Sequence, residues 1–379
     1  MKIGIDARFL GPEGAGIGRY VENLLLNLEK IDQKNEYRIF LKKSNFPLFN
    51  PKEPNFKKVL ADARWYGVKE QILLPPLLVR EKLDLVHFPH FNIPLLYPGR
   101  FVVTVHDTIK SEFWGKSSTT KVLPVYLAKH VAYEIAIRQA VSRAKKIFTP
   151  SGYVKNKLAK DFKVKKEKIV VTHEAVDQSF IKAGRQDVGE GRSNQVLATY
   201  GVKKPFILYV GNAFPYKNLD NLLLAMKEVD PKIKLVYVSS RNAFAERFFR
   251  KGQQLGLSER IIMAGYIPDE DLMALYKLAE CYIFPSFSEG FGLPALEAMA
   301  VGCPVVCSNI PVFKEVYEEA ALYFNPKSPK DISDKISLVI QNQDLKNQKI
   351  GEGFEQVNKY SWKKMAEETL DVYRKVVIQ

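Results

Sequence analysis

Two carboxylates eight positions apart, Glu289 and Glu297, stand in the run Phe284-Pro-Ser-Phe-Ser-Glu-Gly-Phe-Gly-Leu-Pro-Ala-Leu-Glu297. Proline suits the first turn of a helix, because its φ is already helical and its missing N–H would have no partner there. A helix opening at Pro294 leaves Glu289 on the preceding loop and puts Glu297 in the first turn. A helix start carries partial positive charge and free N–H donors, and Gly290 and Gly292 let a ligand approach the backbone closely. Two acids flanking such an end suit a ligand with many hydroxyls and a diphosphate, which describes a nucleotide sugar. Spacing alone leaves a second reading open, with Glu297 as a dipole-stabilising acid and Glu289 as a solvated loop residue.

The elements that must position these groups are legible as short apolar runs alternating with longer helical patterns, the mark of a parallel sheet covered on both faces. Lys2 to Asp6 predicts a first strand, then a Gly-rich turn and a helix from about Arg19 to Glu29. Tyr37 to Leu41, Leu83 to Phe88, Phe101 to His106, Lys146 to Thr149 and Ile169 to His173 predict further strands, with Ser151 as a helix N-cap. Residues 183–204 lose the apolar period and predict a linker or a loop beside one. The alternation restarts with Phe206 to Gly211, Leu235 to Ser239, Ile261 to Ala264, Cys281 to Pro285 and Pro304 to Cys307. The chain's 379 residues suffice for two α/β domains, with ligand expected in a cleft at the strand carboxyl ends.

Composition narrows the classes. The three cysteines, Cys281, Cys303 and Cys307, show no disulfide framework and predict apolar packing in a reducing compartment. Lys2 to Asp6 starts a strand at once, with no secretory h-region, and no run of about 18 apolar residues occurs, so a cytoplasmic, non-spanning protein is expected. The charge of +15 is uneven: residues 1–190 hold 33 basic and 20 acidic side chains. A solvated lysine-rich surface and attraction to an anionic membrane are both compatible with this, whereas no nucleic-acid module appears.

Other residues sit where chemistry could occur. Lys217 lies in a loop after the strand ending at Gly211. Gly11-Pro-Glu-Gly-Ala-Gly-Ile-Gly18 lacks the spacing of a dinucleotide fingerprint, because Arg19 takes the third glycine position. His106-Asp107 ends a strand, and His87 and His90 end the one before; His87 is expected to be buried. Residues 113–140 carry apolar groups at helical spacing, for which core packing is the default and a lid or membrane contact the alternative.

The segment from Phe284 to Pro304, with its Ser-x-x-Glu-Gly-Phe-Gly-Leu-Pro run, resembles the Glu-x7-Glu signature of retaining family 4 glycosyltransferases, and Gly211-Asn212 with Pro215-x-Lys217-Asn218 resembles their mannosyltransferase-like branch. The resemblance spans nearly the whole chain and is specific from Tyr209 to Pro311. It implies an α/β GT-B fold: two Rossmann-like doubly wound domains facing a central cleft, residues 1–190 binding the acceptor and 191–361 the donor. Residues 362–379 would cross back onto the first domain. Carried over by position, Glu289, His106 and Lys217 are the catalytic candidates. Donor contacts would come from Gly16, Gly18, Asn212, Lys217, Tyr266, Ile267, Glu289, Gly290, Phe291, Gly292, Leu293 and Glu297. Asn212 stands where many relatives have arginine, and Arg241 could replace that charge. His90 and Asp107 are the acceptor candidates.

The same resemblance implies same-face displacement without metal or cofactor, the departing diphosphate being neutralised by Lys217 and the helix end. GDP-mannose is the favoured donor; UDP- and dTDP-sugars stay open. A glycan or lipid-linked glycan is the expected acceptor. A GT-B sugar-nucleotide epimerase and a silent sugar-nucleotide-binding subunit are the competing classes. Donor conversion without acceptor would favour the first, and failure to transfer label the second.

Overall fold

A computed structural model describes residues 1–115, 119, 122–240 and 242–378. The chain divides into two compact units, one of residues 1–112, 121–174 and 361–379, the other of residues 113–120 and 175–360.

The first unit is built on a seven-stranded parallel sheet of β1 (Lys2–Asp6), β2 (Glu36–Leu41), β3 (Phe56–Leu60), β4 (Leu85–Phe88), β5 (Phe101–Thr104), β6 (Ile147–Thr149) and β7 (Ile169–Val171), in the order β3-β2-β1-β4-β5-β6-β7. Strands β4, β5 and β6 are buried throughout, as parallel strands covered by helices on both faces must be. The strand order reverses between β1 and β4, which makes the carboxyl ends of these two strands the ligand crevice of such a sheet. The last helix, Trp362–Ile378, belongs to this unit, as the resemblance implies. It buries Trp362, Met365, Ala366, Thr369, Leu370, Tyr373 and Val376, a single helical stripe. The stripe is anchored by a hydrogen bond between the Tyr373 hydroxyl and His87 Nδ1.

The second unit has a six-stranded parallel sheet of β8 (Phe206–Val210), β9 (Lys234–Val238), β10 (Ile261–Gly265), β11 (Tyr282–Phe284), β12 (Val305–Ser308) and β13 (Ala321–Phe324), in the order β10-β9-β8-β11-β12-β13. Its order reverses between β8 and β11. Together the two sheets give the doubly wound α/β architecture expected from the alternation.

The structure corrects three local expectations. The stretch 183–204 is no linker: it contains the helix Glu190–Thr199, which buries only Val196 and therefore leaves no apolar period to detect. That helix is pinned by Arg192 and Tyr200, both hydrogen-bonded to Asp271. Helix Leu123–Arg143 is not mainly a core element, because Val125, Leu127, Val131 and Ile135 are exposed while Ile137, Ala140 and Val141 are buried. Finally, β3 and β13 are absent from the sequence pattern; β3 is an edge strand whose apolar run is broken by Lys57 and Lys58. Ser151 does cap its helix, its hydroxyl accepting from the Val154 N–H at 3.3 Å.

Candidate functional site

In the second unit the two sides of the topological switch meet. Lys217 ends a short 3-10 turn after β8, and Glu289 lies on the loop after β11. Lys217 Nζ contacts Glu289 Oε1 at 2.6 Å, and both side chains are about nine-tenths buried. The Ser286 hydroxyl donates to the same oxygen at 2.7 Å. The ammonium also lies 5.2 Å from the Tyr216 ring and 5.3 Å from that of Phe284, a setting that favours a cation. Asn218, in the left-handed region at φ 58, fixes the turn by donating to the carbonyls of Pro285 and Pro326. A cation is thereby held at the carboxyl ends of two central strands, where it can meet a bound anion.

The next helix begins at Leu293, not Pro294, because Gly292 caps it in the left-handed region at φ 97 and ψ 44. Glu297 is consequently its fifth residue, past the first turn, and only 5% exposed. The expectation of a first-turn acid fails by that one-residue shift. The Gly292 carbonyl accepts from the Tyr317 hydroxyl at 2.7 Å, and Phe291 packs edge-on against Tyr360. Gly290, Phe291, Gly292 and Leu293 thus form a held loop whose backbone leads into the helix.

Asn212 turns its side chain to the Phe214 N–H at 3.4 Å, and its carbonyl accepts from Tyr209. Tyr266 is exposed and Ile267 buried, following Gly265 at φ 77. Arg241 lies outside the described residues. The triplet Asp269-Glu270-Asp271 opens the helix Asp269–Leu278, where its acids sit favourably at the positive end. Among the described residues no group of three or more His, Cys, Asp or Glu side chains is placed to hold a metal.

In the first unit the predicted residues lie at the carboxyl ends of β1, β4 and β5. Gly16 and Gly18 are both inside the helix Ala15–Ile31 but differ in kind. A methyl group at Gly16 would meet nothing within 4 Å, whereas one at Gly18 would lie 2.3 Å from the Gly11 carbonyl oxygen. Gly18 is needed for the chain to pack on itself; Gly16 leaves open room. His90 is buried, accepting from the Asn92 N–H at its Nδ1 (3.1 Å) and meeting the Tyr66 hydroxyl at its Nε2 (3.2 Å). Burial, with the nearby His106 and Lys110, holds its pKa well below the usual histidine range. Asp107 accepts from the Ile109 N–H at 3.0 Å. Burial also pushes His87 down, to about 3.

His106 has a partner that sequence reasoning missed. Its Nδ1 lies 2.8 Å from Glu174 Oε1 and its Nε2 lies 3.0 Å from the Pro89 carbonyl oxygen. Both neighbours are acceptors, so the ring satisfies them only with both nitrogens protonated. Burial disfavours that cation, but the hydrogen bond and charge of Glu174, with help from Pro89 and Asp107, outweigh it and raise the pKa. The sign follows: the stabilisation is full below the ordinary value near 6.5 and is lost as pH rises through the higher folded value. Glu174→Gln is expected to lower the His106 pKa, and its stability deficit should shrink as pH rises above about 6.5. An NMR titration of the ring checks this; an unchanged midpoint would refute it. Glu174 left no sequence signal beyond lying in a loop after a strand, whereas Ser286 opens the Ser-x-x-Glu run that leads to Glu289.

Comparison with known proteins agrees with this fold. Residues 199–356 match the family described as glycosyl transferases group 1, and residues 14–180 match glycosyltransferase family 4. The chain is 28% identical to O-antigen chain mannosyltransferase B of Escherichia coli over 95% of this chain and 96% of that protein. It is 29% identical to O-antigen chain mannosyltransferase RfbU of Salmonella typhimurium, over 74% of this chain and 71% of that one. Sucrose-phosphate synthase from Thermosynechococcus elongatus shares the fold with a TM-score of 0.77, 19% identity and 99% coverage of both chains. The architecture is GT-B, a glycosyltransferase architecture. The chain belongs to the family 4 glycosyltransferases.

Proposed function

We propose that this glycosyltransferase moves mannose from GDP-mannose, with retention, to a hydroxyl of a growing surface glycan that is carried on lipid. The carrying observation is the buried Lys217–Glu289 pair at the β8–β11 switch, beside the glycine loop 290–292 and the helix start at Leu293. The names of the two mannosyltransferase relatives support the donor sugar and the glycan.

In the mechanism this site suits, the donor diphosphate takes the Lys217 ammonium and the N–H groups of Phe291 and Gly292, and Glu289 and Glu297 accept from sugar and ribose hydroxyls. The bond from the anomeric carbon to the diphosphate oxygen breaks as the acceptor oxygen bonds to the same face. The departing oxygen takes the acceptor's proton. Charge growing on the leaving group is met by Lys217 and the helix end, so positioning and electrostatics supply the acceleration without a metal. The test is a thermal-shift series with GDP-, UDP-, dTDP- and ADP-sugars, followed by transfer of label from the best binder to a mannoside acceptor. Stabilisation by GDP-mannose above all others, with transfer, is the expected result. A preference for another base would overturn the donor assignment.

The first unit also suits an anionic membrane surface. No described helix is long and apolar enough to cross a membrane. The exposed Leu127, Val131 and Ile135 recur at helical spacing and lead to a concavity of about 680 Å³ lined by Arg138, Lys145, Lys146, Lys163, Lys165 and Lys168, with Glu167 its one acid. Apolar side chains beside clustered cations are the composition of an interfacial surface. Vesicles with anionic lipid should retain the protein at low salt and release it at high salt. Equal retention by neutral vesicles would contradict this reading.

A further inference from the structure

Tyr66 sits in the left-handed region at φ 60, where among the described residues no other aromatic side chain is found. A bulky residue there is strained, and such strain persists only where the surroundings impose it. Here they do. The Tyr66 N–H donates to Glu70 Oε2 at 2.9 Å. Glu70 is fully buried, its other oxygen held by Arg8 at 2.5 Å and Asn92 at 2.7 Å. Arg8, itself fully buried, also grips both oxygens of Asp6 at 2.8 and 2.7 Å. An ionic network inside the unit thus fixes a conformation that the backbone alone would avoid.

What the network presents is a tyrosine with 53% of its surface open. His90 meets its ring edge-on, with centroids 5.8 Å apart. Because His90 Nδ1 accepts from Asn92, the neutral ring carries its proton on Nε2 and donates it to the Tyr66 oxygen. The phenol's own hydrogen is then left for another acceptor. The Lys110 ammonium lies 5.3 Å from the Tyr66 ring centre and 5.8 Å from that of Tyr133, and the Asp107 carboxylate is near enough for its charge to act on both Lys110 and Tyr66. An aromatic face, a phenol O–H donor, an ammonium and a carboxylate form the set that recognises a hydroxylated ring, with C–H groups on the face and hydroxyls at the polar groups.

We propose that Tyr66 is the platform for the acceptor's sugar ring and determines which acceptor is used. This rests on the glycosyltransferase reading above, and the experiment separates the two. Tyr66→Gly removes the ring and relieves the strain, since glycine adopts positive φ freely, so its melting temperature should equal or exceed that of the wild type. With methyl α-mannobioside as probe, saturation-transfer NMR should show contact in the wild type and none in Tyr66→Gly. The acceptor KM should rise about tenfold or more in that variant, while the GDP-mannose KM stays within twofold. Tyr66→Phe should show an intermediate rise in acceptor KM, with the ring kept and one hydrogen bond lost. Equal saturation transfer in wild type and Tyr66→Gly, or none in the wild type, would overturn the proposal. A wild type that binds the mannobioside but moves no sugar from any nucleotide donor would instead refute the transferase chemistry proposed above.

Discussion

Lys217→Ala and Glu289→Ala will each lower kcat by about two orders of magnitude or more, the range lost when one preorganised electrostatic contact to a transition state is removed. The pair is poised for this because its parts come from opposite sides of the switch in strand order. The Lys217 ammonium faces Glu289 at 2.6 Å, with Ser286 fixing the carboxylate from the other side. A diphosphate arriving there meets a cation that is already placed, so little reorganisation accompanies charge build-up on the leaving group. The substitutions will not unfold the unit. In Lys217→Ala the carboxylate keeps its Ser286 bond, and in Glu289→Ala the ammonium keeps the two aromatic rings beside it. Steady-state kinetics with circular dichroism on both variants is the check. Near-normal turnover in both would discard this site.

Gly292→Ala will disable the same loop through sterics. The residue lies at φ 97, where an L side chain costs about 1 kcal/mol. A methyl group would come within 2.0 Å of the Tyr317 hydroxyl oxygen and 3.0 Å of the Phe313 ring. Tyr317 and Phe313 are fully buried, so neither can swing away, and overpacking adds roughly 1–3 kcal/mol. A fall in melting temperature of roughly 5–15 °C is expected, with turnover down at least about tenfold because the donor N–H groups move. Tyr317→Phe in the same chain removes the nearest clashing atom and should restore part of the stability. Unaltered melting of Gly292→Ala would show that the loop is not held as described.

The central strands were legible because both faces of a parallel sheet are buried, which leaves runs such as Tyr282-Ile-Phe284 with no polar interruption. Edge strands are half solvated, so Phe56-Lys-Lys-Val-Leu60 reads as surface. The helix Glu190–Thr199 was invisible because one buried valine makes no stripe. Within the site, Glu289 and Lys217 were recognisable from their local surroundings, but their mutual contact joins residues 72 apart and exists only once β8 and β11 are neighbours. The same holds for His106 and Glu174, 68 apart. Gly16 and Gly18 looked equivalent in a glycine-rich turn; only packing against the Gly11 carbonyl separates them. The one-residue error at Pro294 arose because proline is tolerated at either of the first two helical positions, and the left-handed Gly292 decided between them.

The most direct test is a crystal soaked with GDP-mannose. Diphosphate density is expected within hydrogen-bond distance of Lys217 Nζ and the N–H groups of Phe291 and Gly292, with the sugar reaching Glu289. Density for the diphosphate elsewhere, with the Lys217–Glu289 contact undisturbed, would contradict it.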